Sequence, residues 1–225
     1  WKESTVASSV TEVANLNASY VGKDLVITYE STAEDKSSIT LIKGEEKKNF
    51  EGSSAEISGG ILYYCTDDGL MSYDIAGKLT ENIISATMGD FTVLDDGKNK
   101  MIVATEYTGF ASELIAYTFD RSTGTWSDKV TLTDDGKYIR DYSAALDQSG
   151  NLTVALNSVE VDEDSDTIYG NATLKVMKFS DTEDITVGKG VYFDNASLIS
   201  SGKLPLNFSV ANNGTKEVSE LHVDI

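Results

Sequence analysis

Three aspartates at alternate positions are the residues of this chain best suited to bind a metal ion. They lie in the segment VDEDSDTIYG and are Asp162, Asp164 and Asp166. Alternate carboxylates begin many calcium-binding loops, because a tight loop turns them toward a single ion. Thr167 replaces the glycine expected at the sixth loop position, and Thr173 replaces the acid expected at the twelfth. Two interpretations stay open: a solvated hairpin tip, or a looser calcium site. Calcium is the only cofactor that the sequence suggests.

Three aromatic side chains are candidates for contact with a ligand. Tyr107 and Phe110 lie in the turn TEYTGF, and Tyr169 lies in the acidic segment. Aromatic faces pack well against apolar surfaces such as the C–H faces of sugars, but they also fill protein cores. We expect the turn positions to be exposed and therefore available to a ligand. Trp126 is interpreted instead as a structural residue that fills space between sheets.

Low counts of certain residues exclude several kinds of catalysis. The chain has one histidine, one cysteine and two arginines, which are His222, Cys65, Arg121 and Arg140. These cannot build a Ser-His-Asp triad in a structured core, a CxxC redox or zinc pair, or an arginine triad. The 37 acidic residues would allow a glycosidase-like carboxylate pair, but no pattern selects two of them. The sequence therefore predicts no catalytic residue.

The net charge narrows the range of partners. The 37 acidic and 18 basic residues give a formal charge of −19. Such a charge repels nucleic-acid phosphates and anionic membrane surfaces. No apolar run approaches the ~20 residues that cross a bilayer. We therefore expect a protein or polysaccharide partner, no nucleic acid, and no membrane insertion in this chain.

Short segments of alternating apolar and polar residues predict an all-β fold. Four pairs of such segments are separated by turn regions, namely 25–29 with 39–42, 61–65 with 70–73, 101–105 with 114–119, and 152–156 with 174–179. The pairs begin 36, 40 and 51 residues apart, a spacing typical of β-propeller blades. We predict about four four-stranded units. Trp1 falls where a preceding unit would end, so we expect them to belong to a larger propeller.

Individual motifs within these units resemble known propeller families. The segment AYTFDRSTGTW (116–126) is similar to the kelch signature, and Gly59 and Gly60 provide one kelch-like double glycine. TFDRSTGTW is also similar to the Asp-box of BNR-type blades, with two extra residues. YSAALDQSGNLTVAL resembles the opening of bacterial extracellular propeller blades. The resemblance implies four-stranded blades in an extracellular bacterial protein.

The composition changes near residue 187. Residues 1–187 contain 33 acidic and 15 basic residues, whereas residues 188–225 contain 4 and 3. The segment GKLPLNFSVANNGTKEVSELHVDI resembles the opening strands of a CARDB-type immunoglobulin-like domain. We therefore divide the chain into a propeller-like region, 1–187, and the truncated beginning of a β-sandwich, 188–225, since a complete sandwich needs ~100 residues.

These observations favour a non-catalytic bacterial protein that is secreted or held at the cell surface. Its propeller loops would bind a protein or a carbohydrate, since loops on a rigid scaffold commonly carry function. No signal peptide is present in this chain. The alternative is a propeller glycoside hydrolase or lyase whose catalytic residues lie partly outside the chain, and a third interpretation is an architectural spacer.

Overall fold

The computed structural model describes most of the chain up to residue 179 and short segments beyond it. The described residues are 3, 5–8, 10, 12–33, 36–162, 167–168, 172–179, 185–187, 192–193, 206–207 and 210–212. Their regular elements are β-strands, as the alternating pattern predicts. Within these residues, no helix has the length and apolar character needed to cross a membrane.

The first three sheets are antiparallel and follow one another along the chain. The first contains β1 (Val13–Val21), β2 (Asp24–Ala33), β3 (Lys36–Lys43) and β4 (Glu46–Glu51). The second contains β5 (Ser53–Ser58), β6 (Ile61–Thr66), β7 (Gly69–Asp74) and β8 (Thr80–Ile84). The third contains β9 (Phe91–Asp95), β10 (Lys100–Thr108), β11 (Ala111–Asp120), β12 (Thr125–Trp126) and the short β13 (Val130–Thr131). In each sheet the first four strands are neighbours in chain order.

The fourth sheet is smaller, and short strands accompany and follow it. It begins with β14 (Tyr138–Leu146) and β15 (Leu152–Val159), and the paired strands β16 (Val161–Asp162) and β17 (Thr167–Ile168) precede its third strand, β18 (Thr173–Phe179). After it come β19 (Ile185–Val187), β20 (Tyr192–Phe193), β21 (Leu206–Asn207) and β22 (Val210–Asn212). β19 pairs with β22, and β20 pairs with β21. The first of these pairings joins residues on both sides of position 187, and the division into 1–187 and 188–225 stays a prediction.

The four predicted strand pairs are confirmed, and each forms the second and third strands of one sheet. Ile61 lies opposite Asp74 in the second sheet, and Met101 lies opposite Thr118 in the third. β6 and β10 are buried along most of their length, because one set of side chains packs on the preceding sheet and the other set on the following sheet.

Three apolar clusters hold successive sheets together face to face. Between the first and second sheets lie Val26, Ile39, Leu41, Phe50, Leu62, Tyr64, Tyr73 and Ile75. Between the second and third lie Tyr63, Cys65, Leu70, Ile84, Met88, Val93, Ile102, Ala104, Ile115 and Tyr117. Between the third and fourth lie Met101, Val103, Leu114, Ala116, Ile139, Leu152, Val154 and Leu156. Burial of these apolar side chains is the main favourable contribution to the stacking of one sheet on the next.

The first strand of each sheet lies next to the first strand of the following sheet. β1 contacts β5, β5 contacts β9, and β9 contacts β14. Antiparallel sheets that stack in chain order with their first strands innermost are β-propeller blades. The predicted fold class, all-β with about four blade units, is therefore confirmed.

Hydrogen bonds reinforce each junction between blades. A side-chain oxygen of one blade accepts a hydrogen bond from a backbone N–H of the next blade's inner strand. The three donor–acceptor pairs are Ala55 N to Glu30 Oε1 at 2.8 Å, Val93 N to Glu56 Oε2 at 3.1 Å, and Ile139 N to Ser112 Oγ at 2.7 Å. Such bonds satisfy backbone donors that would otherwise be buried without a partner.

β-Bulges interrupt three of the four inner strands. The pairing register shifts between Ala14 and Asn17, between Ser53 and Glu56, and between Ile139 and Asp141. Asn15 and Ser54, inside the first two bulges, have positive φ angles of 47° and 55°. A bulge bends its strand and changes the direction of the neighbouring side chains. The bulges therefore help to shape the space that the inner strands enclose.

Candidate ligand-binding cleft

The inner strands of all four blades line one cleft, with a volume of about 660 Å³. Its wall includes Asn15 and Asn17 from β1, Glu56 from β5, Thr92 from β9 and Asp141 from β14. Each blade thus contributes polar side chains from a strand that the apolar clusters hold in place. The arrangement is a cleft of the size of a small-ligand site on a rigid scaffold, with a wall more polar than the mostly apolar lining of such sites.

Two tyrosines form an aromatic part of the cleft wall. Tyr107 lies at the end of β10, and Tyr138 begins β14 of the next blade. Their rings stack with 6.4 Å between centroids and 22° between planes. Partial desolvation raises the pKa of Tyr107 although its side chain is largely exposed, and the protonated hydroxyl can donate a hydrogen bond. The pair offers both an apolar ring surface and polar hydroxyls to a ligand.

A third tyrosine ties the fourth blade to the third beside the cleft. The hydroxyl of Tyr142 donates a hydrogen bond to the carbonyl of Val103 at 2.8 Å, and the carbonyl of Asp90 lies at 3.3 Å. Burial strongly raises the pKa of Tyr142, which keeps this donor protonated. We interpret Tyr142 as a residue that positions β14 rather than one that offers its hydroxyl to a ligand.

Carboxylates outnumber cations in the cleft. Glu56, Asp90 and Asp141 line it together with one guanidinium, that of Arg140. Burial raises the pKa of Glu56, although the hydrogen bond from Val93 N opposes the shift. Carboxylates accept hydrogen bonds from hydroxyl and amine groups, so the wall suits a ligand rich in such donors.

Of the site residues predicted from the sequence, only some lie in the described part of the chain, and these do not all line the cleft. Tyr107 is exposed and lines the cleft, whereas Phe110, also exposed, lies at the tip of the β10–β11 hairpin outside the cleft lining. Tyr169, Asp164 and Asp166 lie outside the described residues, and Asp162 is described only as the last residue of β16, paired with Thr167. Within the described part of the chain, no group of three or more His, Cys, Asp or Glu residues could hold a metal ion.

Several cleft residues were not singled out from the sequence. Glu56, Asp90, Tyr138 and Arg140 lie on or beside inner strands, and nothing local distinguishes them from other polar strand residues. Their proximity depends on how four blades stack around one axis. The polar run KYIRDYS at the start of β14 is a local signal that could have indicated Tyr138 and Arg140, but nothing comparable marks Glu56 or Asp90.

Trp126, which is interpreted as a structural residue, is placed accordingly. Its ring is tilted by 57° against that of Phe119, with 5.1 Å between centroids, and it packs against the cluster between the second and third blades. Cys65 is buried in that cluster, and burial raises its pKa to about 12. It therefore stays a thiol at neutral pH and acts as a small apolar residue.

Comparisons with known proteins add distant structural likenesses. No protein-family model matches the chain, and no curated protein matches it. An acylaminoacyl peptidase from Pyrococcus horikoshii aligns with 72% of this chain and 32% of its own, at 8% identity and a TM-score of 0.43. The catalytic domain of a GH62 α-L-arabinofuranosidase from Coprinopsis cinerea aligns with 78% and 67%, at 8% identity and a TM-score of 0.44.

A third solved structure, TolB from Acinetobacter baumannii, aligns with 84% of this chain and 49% of its own, at 14% identity and a TM-score of 0.39. The chain thus spans about a third of the peptidase and about half of TolB. The class of the protein follows from its own geometry: an all-β protein of stacked propeller blades with a polar cleft at their inner strands.

Proposed function

We propose that this chain is a non-catalytic binding domain of a secreted or cell-surface bacterial protein, and that it binds a carbohydrate in the inner-strand cleft. The observation that carries the proposal is the cleft itself, which has a volume of about 660 Å³, polar side chains from all four blades and an aromatic wall. Small-ligand sites commonly enclose roughly 300–1,000 Å³.

The chemistry of the wall supports a carbohydrate over other ligands. Sugars present C–H faces that pack on aromatic rings, and Tyr107 offers such a ring beside Tyr138. Sugars also carry hydroxyl donors, which the carboxylates of Glu56 and Asp141 can accept. A strongly anionic ligand would be repelled, because the chain carries a charge of −19 and only Arg140 is cationic among the lining residues.

The extracellular location rests on sequence features. The repeat resembles the blades of bacterial extracellular propellers, and the large negative charge favours solubility. Under this proposal, a glycan attached to the surface of another protein is also a ligand of the cleft.

A glycan array followed by calorimetry with the strongest ligand tests the proposal. We expect Tyr107→Ala to weaken binding roughly tenfold, because it removes an aromatic contact worth about 1.4 kcal/mol. Tyr20→Ala is the matched control, since Tyr20 is also exposed but lies outside the cleft lining. A loss of affinity on Phe110→Ala instead of Tyr107→Ala would move the site to the loop tip. The absence of binding to any glycan would contradict the proposal.

An enzymatic function is the second candidate, favoured by the carboxylates in the same cleft. Burial raises the pKa of Glu56, as a general acid requires, and Asp141 lies on the same wall. This alternative predicts release of reducing sugar ends from a bound polysaccharide, with the release abolished by Glu56→Gln and by Asp141→Asn. The binding proposal predicts that the bound polysaccharide stays intact.

A further inference from the structure

A glycine lies where the segment before β9 meets the strand that carries the cleft tyrosine. Gly89 N donates a hydrogen bond to the carbonyl of Thr105 at 2.7 Å, and Thr105 N donates one to the carbonyl of Asp90 at 2.9 Å. The preceding side chain, Met88, is buried in the apolar cluster between the second and third blades. The backbone at Gly89 is therefore fixed against β10, two residues before Tyr107.

The space beside the Cα atom of Gly89 is already filled by side chains of β10. A Cβ atom added at this position would lie 2.5 Å from Oγ1 of Thr105, 3.1 Å from Cε2 of Tyr107 and 3.3 Å from Oη of Tyr107. Distances this short force the neighbouring atoms apart, because packed protein interiors have little free space. The ring of Tyr107 thus lies against bare backbone, which only glycine provides.

The backbone conformation does not by itself require a glycine here. The described glycines with a positive φ do not include Gly89, so an alanine could adopt its conformation. The close approach of the Tyr107 ring and of the Thr105 hydroxyl therefore accounts for the glycine at this position, and a tight turn does not.

Tyr107 depends on such contacts because it lies near the end of β10 and is 57% exposed. An exposed aromatic side chain otherwise exchanges between rotamers, and it loses that freedom when it binds a ligand. In this structure the edge of the ring lies against Gly89, and the ring stacks on Tyr138 of the next blade. These two contacts come from different elements, and together they hold the ring in one orientation.

We propose that Gly89 is a positioning residue of the cleft, which holds the ring of Tyr107 against Tyr138 in the orientation that a ligand contacts. The effect on affinity rests on the proposed binding function, whereas the position of the ring is a property of the unliganded chain. Gly89 does not itself line the cleft. It contributes to binding through Tyr107, since a ring that is already ordered loses less freedom when the ligand arrives.

Nuclear Overhauser contacts in the unliganded 225-residue chain give a test that needs no ligand. We expect the ring protons of Tyr107 to show contacts with the Hα protons of Gly89 and with the ring of Tyr138. In Gly89→Ala the added methyl group should displace the ring, so the contact with Tyr138 should be lost. The absence of the contact with Gly89 in the unmodified chain would overturn the proposal, and so would an unchanged contact with Tyr138 in Gly89→Ala.

Calorimetry with the oligosaccharide that binds most strongly on the glycan array tests the consequence for affinity. Gly89→Ala should weaken binding roughly three- to tenfold, as expected when one ordered side chain regains its freedom. In a Tyr107→Ala background the same substitution should change the affinity by less than roughly twofold, because the ring through which it acts is gone. An equal loss in both backgrounds would mean that Gly89 supports the fold in general, and would overturn the proposal. If no glycan binds, the proposed function is contradicted, and the ring contacts alone decide the role of Gly89.

Gly77→Ala is the matched control. Gly77 also has no positive φ, and a Cβ atom there would lie 2.6 Å from Oδ2 of Asp74, in a turn outside the cleft lining. This variant should keep both the ring contacts and the affinity of the unmodified chain. A loss as large as that of Gly89→Ala would show that crowding anywhere in the chain weakens binding, which would overturn the proposal.

A second variant covers the case in which Gly89→Ala does not fold. Thr105→Ala removes the hydroxyl that would lie closest to the new methyl group, which leaves Tyr107 as the nearest obstacle. Gly89→Ala combined with Thr105→Ala should therefore fold, lose the stack on Tyr138 and bind more weakly than Thr105→Ala alone. An intact stack and an affinity equal to that of Thr105→Ala would overturn the proposal.

Discussion

Glu56 shows how one side chain can contribute both to the junction between two blades and to the cleft. Its Oε2 accepts a hydrogen bond from Val93 N of the next blade at 3.1 Å, and the residue also lines the cleft. Burial raises its pKa because the charged form loses hydration, and the single backbone donor compensates only in part. The site thus contains a carboxyl group that favours its protonated form more than an exposed glutamate does.

The pKa of Glu56 predicts how stability depends on pH. Because the folded-state pKa lies above the ordinary value of 4.5, the unfolded state releases the proton first as the pH rises. Glu56 therefore lowers stability progressively above pH 4.5 and up to its folded pKa. We expect Glu56→Gln, which retains an acceptor for Val93, to be more stable than the unmodified chain at pH 7.

Thermal melts of both proteins at pH 4 and pH 7 measure this effect. The advantage of Glu56→Gln should be larger at pH 7 than at pH 4, since both states of the unmodified carboxyl are protonated at low pH. An advantage that does not change with pH would mean that the carboxyl titrates as an exposed group does.

At the scale of single residues, the sequence predicted that Tyr107 is exposed, but not which residues lie close to it. The sequence predicted Tyr107 in an exposed turn; in the structure it lies near the end of β10, is exposed as predicted, and is part of the cleft wall. Its stacking partner Tyr138 lies 31 positions later in another blade, and no local pattern connects the two. Such contacts arise from blade stacking, which local alternation does not describe.

At the scale of elements, the junction between the first two blades depends on a buried acceptor. Glu30 is almost fully buried, and its Oε1 accepts a hydrogen bond from Ala55 N at 2.8 Å. Ala55 lies within the bulge of β5, where the strand ladder leaves this backbone donor without a partner. The side chain of one blade thus completes the irregular inner strand of the next.

Substitution of Glu30 tests this junction. Glu30→Ala removes the acceptor and leaves Ala55 N–H unsatisfied, so we expect it to cost about 1–3 kcal/mol of unfolding free energy. Glu30→Gln keeps an oxygen at the same position and should cost less than about 1 kcal/mol. Urea unfolding measures both values. Equal losses for the two variants would show that charge, rather than the hydrogen bond, is what the junction requires.

The second strand of each blade could be predicted from the sequence more readily than the inner strand. β6 and β10 contain short, nearly continuous apolar runs because both of their faces pack against neighbouring blades. β1 and β5 contain bulges with positive φ at Asn15 and Ser54, which shift the alternation partway along each strand. The bulge of β5 is completed by Glu30 of the preceding blade, so the local sequence does not specify it.

The calcium prediction for Asp162, Asp164 and Asp166 can be tested directly. If the loop binds calcium with a dissociation constant of roughly 0.1–1 mM, a calcium concentration tenfold above that constant adds about 1.4 kcal/mol to stability. We expect the melting temperature to rise on transfer from EDTA to calcium, and Asp164→Asn to abolish the rise. Magnesium at equal ionic strength is the control. Equal melting temperatures in EDTA and calcium would exclude a site that stabilises the fold.

At the scale of the whole molecule, the charge is distributed unevenly. Residues 1–187 carry 33 of the 37 acidic residues. Several carboxylates are compensated locally, such as Asp95 by Arg121 at 2.6 Å and Asp135 by Lys175 at 2.5 Å. The excess nevertheless remains large and opposes the compact state through repulsion between like charges.

This repulsion predicts that monovalent salt stabilises the folded protein. Salt screens charges beyond about 8 Å at 0.15 M, so it weakens the long-range repulsion more than the short ion pairs. We expect a rise in unfolding free energy of about 1 kcal/mol, or roughly 2–4 °C in melting temperature, between 0.01 and 0.3 M sodium chloride at pH 7. Near pH 4.3, where the sequence is close to neutral, the rise should vanish because little net charge is left to screen. A melting temperature that falls with salt at pH 7 would mean that the ion pairs outweigh the repulsion.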